Sequence, residues 1–211
     1  MLAARALDSL VKVRFGDSLA IVEWHPYAHD TFNINPDDSL RVAGYQHNPG
    51  QPSLVLDGYQ AVTMPPDPSQ FYSTFEDAIR VVKSEPVFVT LVVDSATADS
   101  TQGRVILHLA ADSTTPPSSP TLYCIVTEDS LVDPLGGAYF RIPVQFVPDL
   151  NGTPVSLTPG ATLVDTLDFP TVGHRLDKLG AIVFLEDTSA STGHYVLQSA
   201  TINRFVLTED R

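Results

Sequence analysis

Ser84-Glu85-Pro86-Val87-Phe88-Val89-Thr90-Leu91-Val92-Val93 is the stretch at which the chain changes its pattern. Pro86 cannot continue a helix and pushes Glu85 towards extended backbone. From there Val87, Val89, Leu91 and Val93 alternate with other residues, the period of a strand with one buried face. The same period returns at Val105, Leu107 and Leu109, at Leu122, Cys124 and Val126, and at Phe140, Ile142, Val144 and Phe146. Further strands are predicted over 161–169, 179–185 and 195–205. Turns rich in Ser, Thr, Pro, Gly and Asp separate them. Repeated short strands without intervening helices predict an antiparallel, Ig-like β-sandwich over 86–211. Pro143 falls inside one strand, which is therefore expected to be an edge or to carry a bulge.

Upstream of Pro86 the pattern is mixed. Phe71, Phe75, Ala78, Ile79 and Val82 make the clearest helical stripe in the chain. Before them, Ser53-Leu54-Val55-Leu56 reads as a strand and Asp57-Gly58 as a hairpin-type turn. Asn35-Pro36-Asp37-Asp38 supplies a helix cap, Pro at the first helical position and first-turn acids, so a helix is predicted from about Pro36 to Tyr45. Leu19 to Trp24 reads as a buried strand, and Leu7, Leu10, Val11 and Phe15 as one stripe of a helix that ends at Gly16. Residues 1–85 are thus expected to form an α/β domain. The first helix is already under way at Met1 without a capping residue. That predicts a numbered chain beginning inside an element; a frayed natural terminus is the other reading.

The 211 residues carry 12 Lys+Arg against 25 Asp+Glu, a formal charge of -13. This excludes the basic footprint of nucleic-acid binding and opposes anionic membrane surfaces. No apolar run is long enough for a transmembrane helix. Hydrophobic residues at 43% suffice for a buried core. Cys124 is the one cysteine, so an intramolecular disulfide and a Cys-rich zinc site are both excluded.

Three stretches support a resemblance. Met1-Leu2-Ala3-Ala4, running into Leu7-Asp8-Ser9-Leu10, looks like the helix that follows a thioredoxin CxxC. Leu19–Trp24 looks like that fold's next central strand, and Gln51-Pro52-Ser53-Leu54-Val55-Leu56-Asp57-Gly58 resembles its cis-proline, strand and Gly-turn signature. With Val22-Glu23-Trp24-His25-Pro26, Asp30, Gly50-Gln51-Pro52-Ser53, Val126-Thr127-Glu128-Asp129 and Val183-Phe184-Leu185-Glu186-Asp187, the chain resembles the twenty-eight-kilodalton-type (Omp28-related) outer-membrane lipoprotein family. In that family a thioredoxin-like domain precedes a β-sandwich. The resemblance implies a cis bond before Pro52, a truncated thioredoxin-like domain over 1–85 lacking its first strand and CxxC, and, given a signal peptide upstream of the numbered chain, which itself reads as carrying none, a place in the periplasm, outer membrane or cell surface. The family's dithiol would lie before Met1, and without it no dithiol exchange can cycle. The expected function is therefore a non-enzymatic cell-envelope protein with a protein partner. The alternative is an oxidoreductase-like protein whose CxxC lies upstream of the numbered chain.

Two groups of residues could carry chemistry. His25, His29 and Asp30, with His47 not far on, offer imidazole and carboxylate to a transition metal. The plainer reading is a polar loop, with His25 beside Trp24. Glu128-Asp129 and Glu186-Asp187 each end an apolar strand. If those strands are neighbours, four carboxylates could cluster, to hold Ca²⁺ or to raise a pKa; otherwise they are acids at strand exits facing water. No catalytic motif, metal-ligand spacing or phosphate loop is present, so no cofactor is expected. A missing first strand would leave Leu19–Trp24 as an open edge and uncover Leu7, Leu10 and Ile21, which predicts association between copies through the N-terminal part.

Overall fold

The computed structural model describes residues 2–24, 54–112, 117–132, 138–189 and 195–208. Pro52, His25, His29, Asp30, His47 and the helix predicted from Pro36 lie outside them.

A small helical part comes first. Helix α1 spans Leu2–Leu10, and the chain continues as a wide turn over Val11–Phe15 and a tight one over Gly16–Ser18. The predicted helix to Gly16 is thus regular only to Leu10, and Gly16 ends the wide turn with φ 55°. Strands β1 (Leu54–Leu56) and β2 (Gln60–Val62) form an antiparallel hairpin. Its turn places Asp57 and Gly58 both at positive φ, 45° and 77°, which suits Asp-Gly. Asp67 accepts a hydrogen bond from Ser69 N–H at 2.9 Å just ahead of helix α2, Phe71–Lys83. α2 turns Phe75, Ile79 and Val82 inward against Leu10 and Leu56, with Leu7, Phe15, Leu19 and Phe71 around them. Leu10 is fully buried, and Leu7 packs in the same core. The uncovered apolar surface expected at these two leucines is not found.

Beyond Pro86 the chain is β-rich. One sheet has the order β10 (Thr162–Pro170), β4 (Gln102–Ala111), β3 (Val89–Ala98), β13 (Val206–Leu207). The other runs β12 (Tyr195–Ile202), β11 (Leu179–Asp187), β5 (Pro120–Glu128), β8 (Ile142–Val147), with β9 (Thr153–Pro154) also on β5. A short hairpin of β6 (Leu131–Val132) and β7 (Ala138–Tyr139) stands between β5 and β8. Among the described strands each ladder is antiparallel except β13 on β3, and an isolated parallel bridge joins Ala111 to Pro159. The two sheets face each other across one core, where Val105, Leu107 and Leu109 meet Leu122, Cys124, Val126 and Val183. Gly103 makes room in it: a Cβ there would collide with the ring of Phe169, its partner across the ladder.

Several expectations shift in detail. Val87 is 55% exposed and precedes the strand, which begins at Val89. Phe140 likewise stays outside β8. β8 is an edge strand, as Pro143 requires, and the ladder slips opposite it between Val126 and Thr127. That slip turns Phe146 to the outer face, where it pairs with Ile125. The predicted strand 195–205 ends at Ile202, and the chain crosses to the other sheet as β13.

The largest correction concerns Leu19–Trp24, which forms no strand. Leu19 packs with the helical core, while Ala20, Val22 and Trp24 lie on the outer face of the five-stranded sheet. There they cover Tyr123, Ile125, Phe146, Ile182 and Phe184, and Trp24 stacks on Phe146 with centroids 5.8 Å apart. The alternation is real, but it is satisfied by packing on a sheet rather than by joining one. β5 is consequently buried along its whole length, as strands covered on both faces are.

Candidate functional site

The register of β5 against β11 decides where the acidic strand ends go. The two strands are neighbours and antiparallel, Leu179 opposite Glu128 and Asp187 opposite Pro120. Glu128 and Asp187 therefore stand at opposite ends of the ladder, eight steps apart, or about 27 Å at about 3.4 Å per residue. The four carboxylates do not come together. Among the described residues no group of three or more His, Cys, Asp or Glu is placed to hold a metal ion.

Each acid has local work. Asp187 Oδ1 accepts from Ser189 N–H at 2.9 Å and from its hydroxyl at 2.6 Å, closing the turn after β11. Glu186 is completely buried on the face of β11 that also carries Ile182 and Phe184. At the other end, the loop after β10 folds back over β5. His174 N–H donates to Thr171 O, with Gly173 at φ 88° between them. This brings His174 Nδ1 to 3.4 Å and Arg175 Nε to 4.0 Å from the buried Glu128 carboxylate. Asp129 N–H donates to Lys178 O at 3.0 Å, and Asp129 Oδ1 accepts from Arg141 N–H at 2.7 Å. Ser130 and Arg141, at φ 59° and 54°, take the strained turns that make this possible.

Arg141 is the residue that sequence reading passed over. Its Nη2 donates to Asn203 Oδ1 at 2.9 Å, and its carbonyl accepts from Glu23 N–H at 3.3 Å. Among the described residues its buried Nη1 meets no acceptor, and the buried Thr201 hydroxyl no partner. Both line a cleft at the ends of β5, β11 and β12, with Thr127, Asp129, Gly180 and Asn203. The cleft offers about 10 Å³, near what one water-sized group needs. Gly180 keeps it open, since a Cβ there would lie 2.7 Å from Ile202 O and 3.4 Å from Thr127 Oγ1. The arrangement can donate to one oxygen atom. The available signal was a lone Arg directly before the apolar Ile142-Pro143, where a strand starts.

Cys124 sits opposite Val183 and Val147 inside the closed core, fully buried. Burial alone pushes its thiol up to about 12, so thiolate chemistry at neutral pH is suppressed.

The fold is similar to that of HBP35 of Porphyromonas gingivalis. The TM-score is 0.70 at 9% sequence identity, over 87% of this chain and 64% of that one. The chain therefore spans less than two thirds of the HBP35 structure, and the likeness shows a shared fold alone. A domain of the outer membrane lipoprotein Omp28 from Porphyromonas gingivalis aligns over 59% of this chain and 93% of its own, at 8% identity and TM-score 0.45. A β-glucosidase from Kluyveromyces marxianus aligns over 56% of this chain and 14% of its own, at 10% identity and TM-score 0.34. Scores that low do not establish a common fold. No protein-family model and no curated protein matches the sequence.

Proposed function

We propose that the chain is a non-enzymatic cell-envelope protein whose Ig-like β-sandwich, residues 86–211, is a binding module carried on a redox-inactive thioredoxin-like scaffold, residues 1–85. It acts in the periplasm or at the outer membrane, and its partner is a protein. The motif resemblance to outer-membrane lipoproteins favours the location, and the fold likeness to HBP35 is compatible with the scaffold. The sealed Cys124 speaks against thiol chemistry by these residues. The observation that carries the binding role is the Arg141 guanidinium. A buried N–H without an acceptor costs about 1–3 kcal/mol, and an oxygen from a partner relieves it. A carboxylate or carbonyl oxygen fits the size of the cleft, and charge favours a carboxylate.

Acetate at matched ionic strength is the probe. Amide resonances of Asp129, Thr201 and Asn203 are expected to shift saturably with acetate in the wild-type chain and not in Arg141→Gln. Insulin reduction by the same samples should stay at background. Shifts that are linear, or equal in both proteins, would remove the cleft as the contact; turnover above background would overturn the non-enzymatic reading.

A further inference from the structure

The edge of an open sheet is a template for a further strand unless something blunts it. Among the described residues three of the sandwich's edges are blunted. β13 is two residues long. β8 carries Pro143 and the register slip between Val126 and Thr127 of its neighbour. β12 meets the β1–β2 hairpin, where Val196 N–H donates to Asp57 O at 2.9 Å. β10 differs. Its nine residues, Thr162–Pro170, pair with β4 in one unbroken register, and no described strand lies on its other side.

Two contacts show which main-chain groups face that open side. Thr171 N–H donates to Thr101 O at 3.2 Å, which continues the ladder past Phe169 opposite Gly103. Antiparallel pairs alternate, so Leu163, Asp165, Leu167 and Phe169 bond to β4, while Val164, Thr166 and Asp168 turn their N–H and C=O groups outward. In agreement, Thr166 N–H donates to Asp165 Oδ1 at 2.8 Å instead of to β4. Asp165 itself lies on the same side of the strand as Leu163, Leu167 and Phe169, which pack in the sandwich core. An inward-facing charge on an edge strand repels strands that would add to it. A second copy of β10 is such a strand, since it brings two acids and no base. A strand with a cation opposite Asp165 is admitted. The two residues would form a non-hydrogen-bonded pair, the closer kind, with Cα atoms about 4.5 Å apart. The cation takes the Asp165 carboxylate, and Thr166 N–H is released to the incoming carbonyl.

We propose that β10 is a docking edge for an extended segment of a protein partner, in which apolar residues alternate and a Lys or Arg stands opposite Asp165. The formal charge of -13 favours the approach of such a segment. The edge shares no residue with the Arg141 cleft. Two blocked peptides are the probes, acetyl-Thr-Val-Thr-Lys-Thr-Val-Thr-amide and the same sequence with Glu at the centre. Titrated into the full chain at matched ionic strength, the Lys peptide should shift the amides of Val164, Thr166 and Asp168 saturably. The Glu peptide should bind about fivefold more weakly, the effect of exchanging an opposite for a like charge across a strand pair. In Asp165→Lys the order should reverse. Arg141→Gln should bind the Lys peptide as wild type does, which separates this test from that of the cleft. No saturable shift on β10 with the Lys peptide, or equal binding of both peptides by the wild-type chain, would overturn the proposal, and neither reading needs a variant at Asp165. Amides of β10 that broaden with protein concentration in the absence of peptide would overturn it as well, because a second copy would then hold the edge.

Discussion

Gly180 shows how one residue can define a site without touching a ligand. It sits second in β11 opposite Thr127, and its missing side chain lets the Ile202 carbonyl approach within 2.7 Å of where a Cβ would stand. The close atom is backbone, which cannot rotate away. Gly180→Ala must therefore push β12 outward or strain β11. We expect a loss of about 1–3 kcal/mol in urea unfolding, the usual cost of overpacking, and closure of the Arg141 cleft. An alanine variant as stable as wild type would mean that the strand ends yield. Little of this was readable in advance. The sequence displays Glu128, Asp129, Glu186 and Asp187 as pairs at strand ends, but only the antiparallel register shows that the pairs lie at opposite ends. Arg141 carries no motif, and its importance arises from two left-handed residues that no pattern announces.

At the level of elements, periodicity was a good guide to faces and a poor one to partners. The stripe of α2, the hairpin at Asp57-Gly58 and the inward residues of β4 and β5 were all legible, because a buried face imposes its period on the sequence. What the period does not encode is whether an extended segment finds a ladder. Leu19–Trp24 has the alternation of a strand, yet it lies across Tyr123, Ile125, Phe146, Ile182 and Phe184 as a strap. The outer face of β5 and β11 was missed for the same reason: it is covered by a segment remote in sequence. Trp24 anchors the strap by stacking on Phe146. Trp24→Ala should cost about 1.5–3 kcal/mol, the transfer value of a large apolar side chain, and should lower exchange protection at Glu23 N–H, which bonds to Arg141 O. Unchanged stability with unchanged protection at Glu23 would show that the strap does not depend on its tryptophan.

For the whole molecule, the two cores differ in what supports them. Among the described residues the sandwich core draws on both sheets and closes on itself, with Val105, Leu107, Leu109, Leu122 and Leu185 all at 0% exposure. The helical core rests on α1, α2 and one short hairpin, around Leu10, Leu56, Phe75, Ile79 and Val82. Among the described residues this core joins fewer elements than the sandwich core does, and less burial leaves less surplus over the entropy of ordering the chain. Among the described residues it borrows support from the sandwich through the strap, the Glu85 carboxylate, which accepts from Tyr195 OH, and Lys12, whose Nζ lies 5.3 Å over the Phe140 ring. Opening should therefore be stepwise. Amides within α2 should exchange through a partial opening of lower free energy than those of β5 and β11, which should report global unfolding. The two classes separate in exchange measured against urea, the α2 amides showing the smaller denaturant dependence because less surface is exposed. A single exchange free energy shared by α2 and β5 would mean that the cores unfold as one unit.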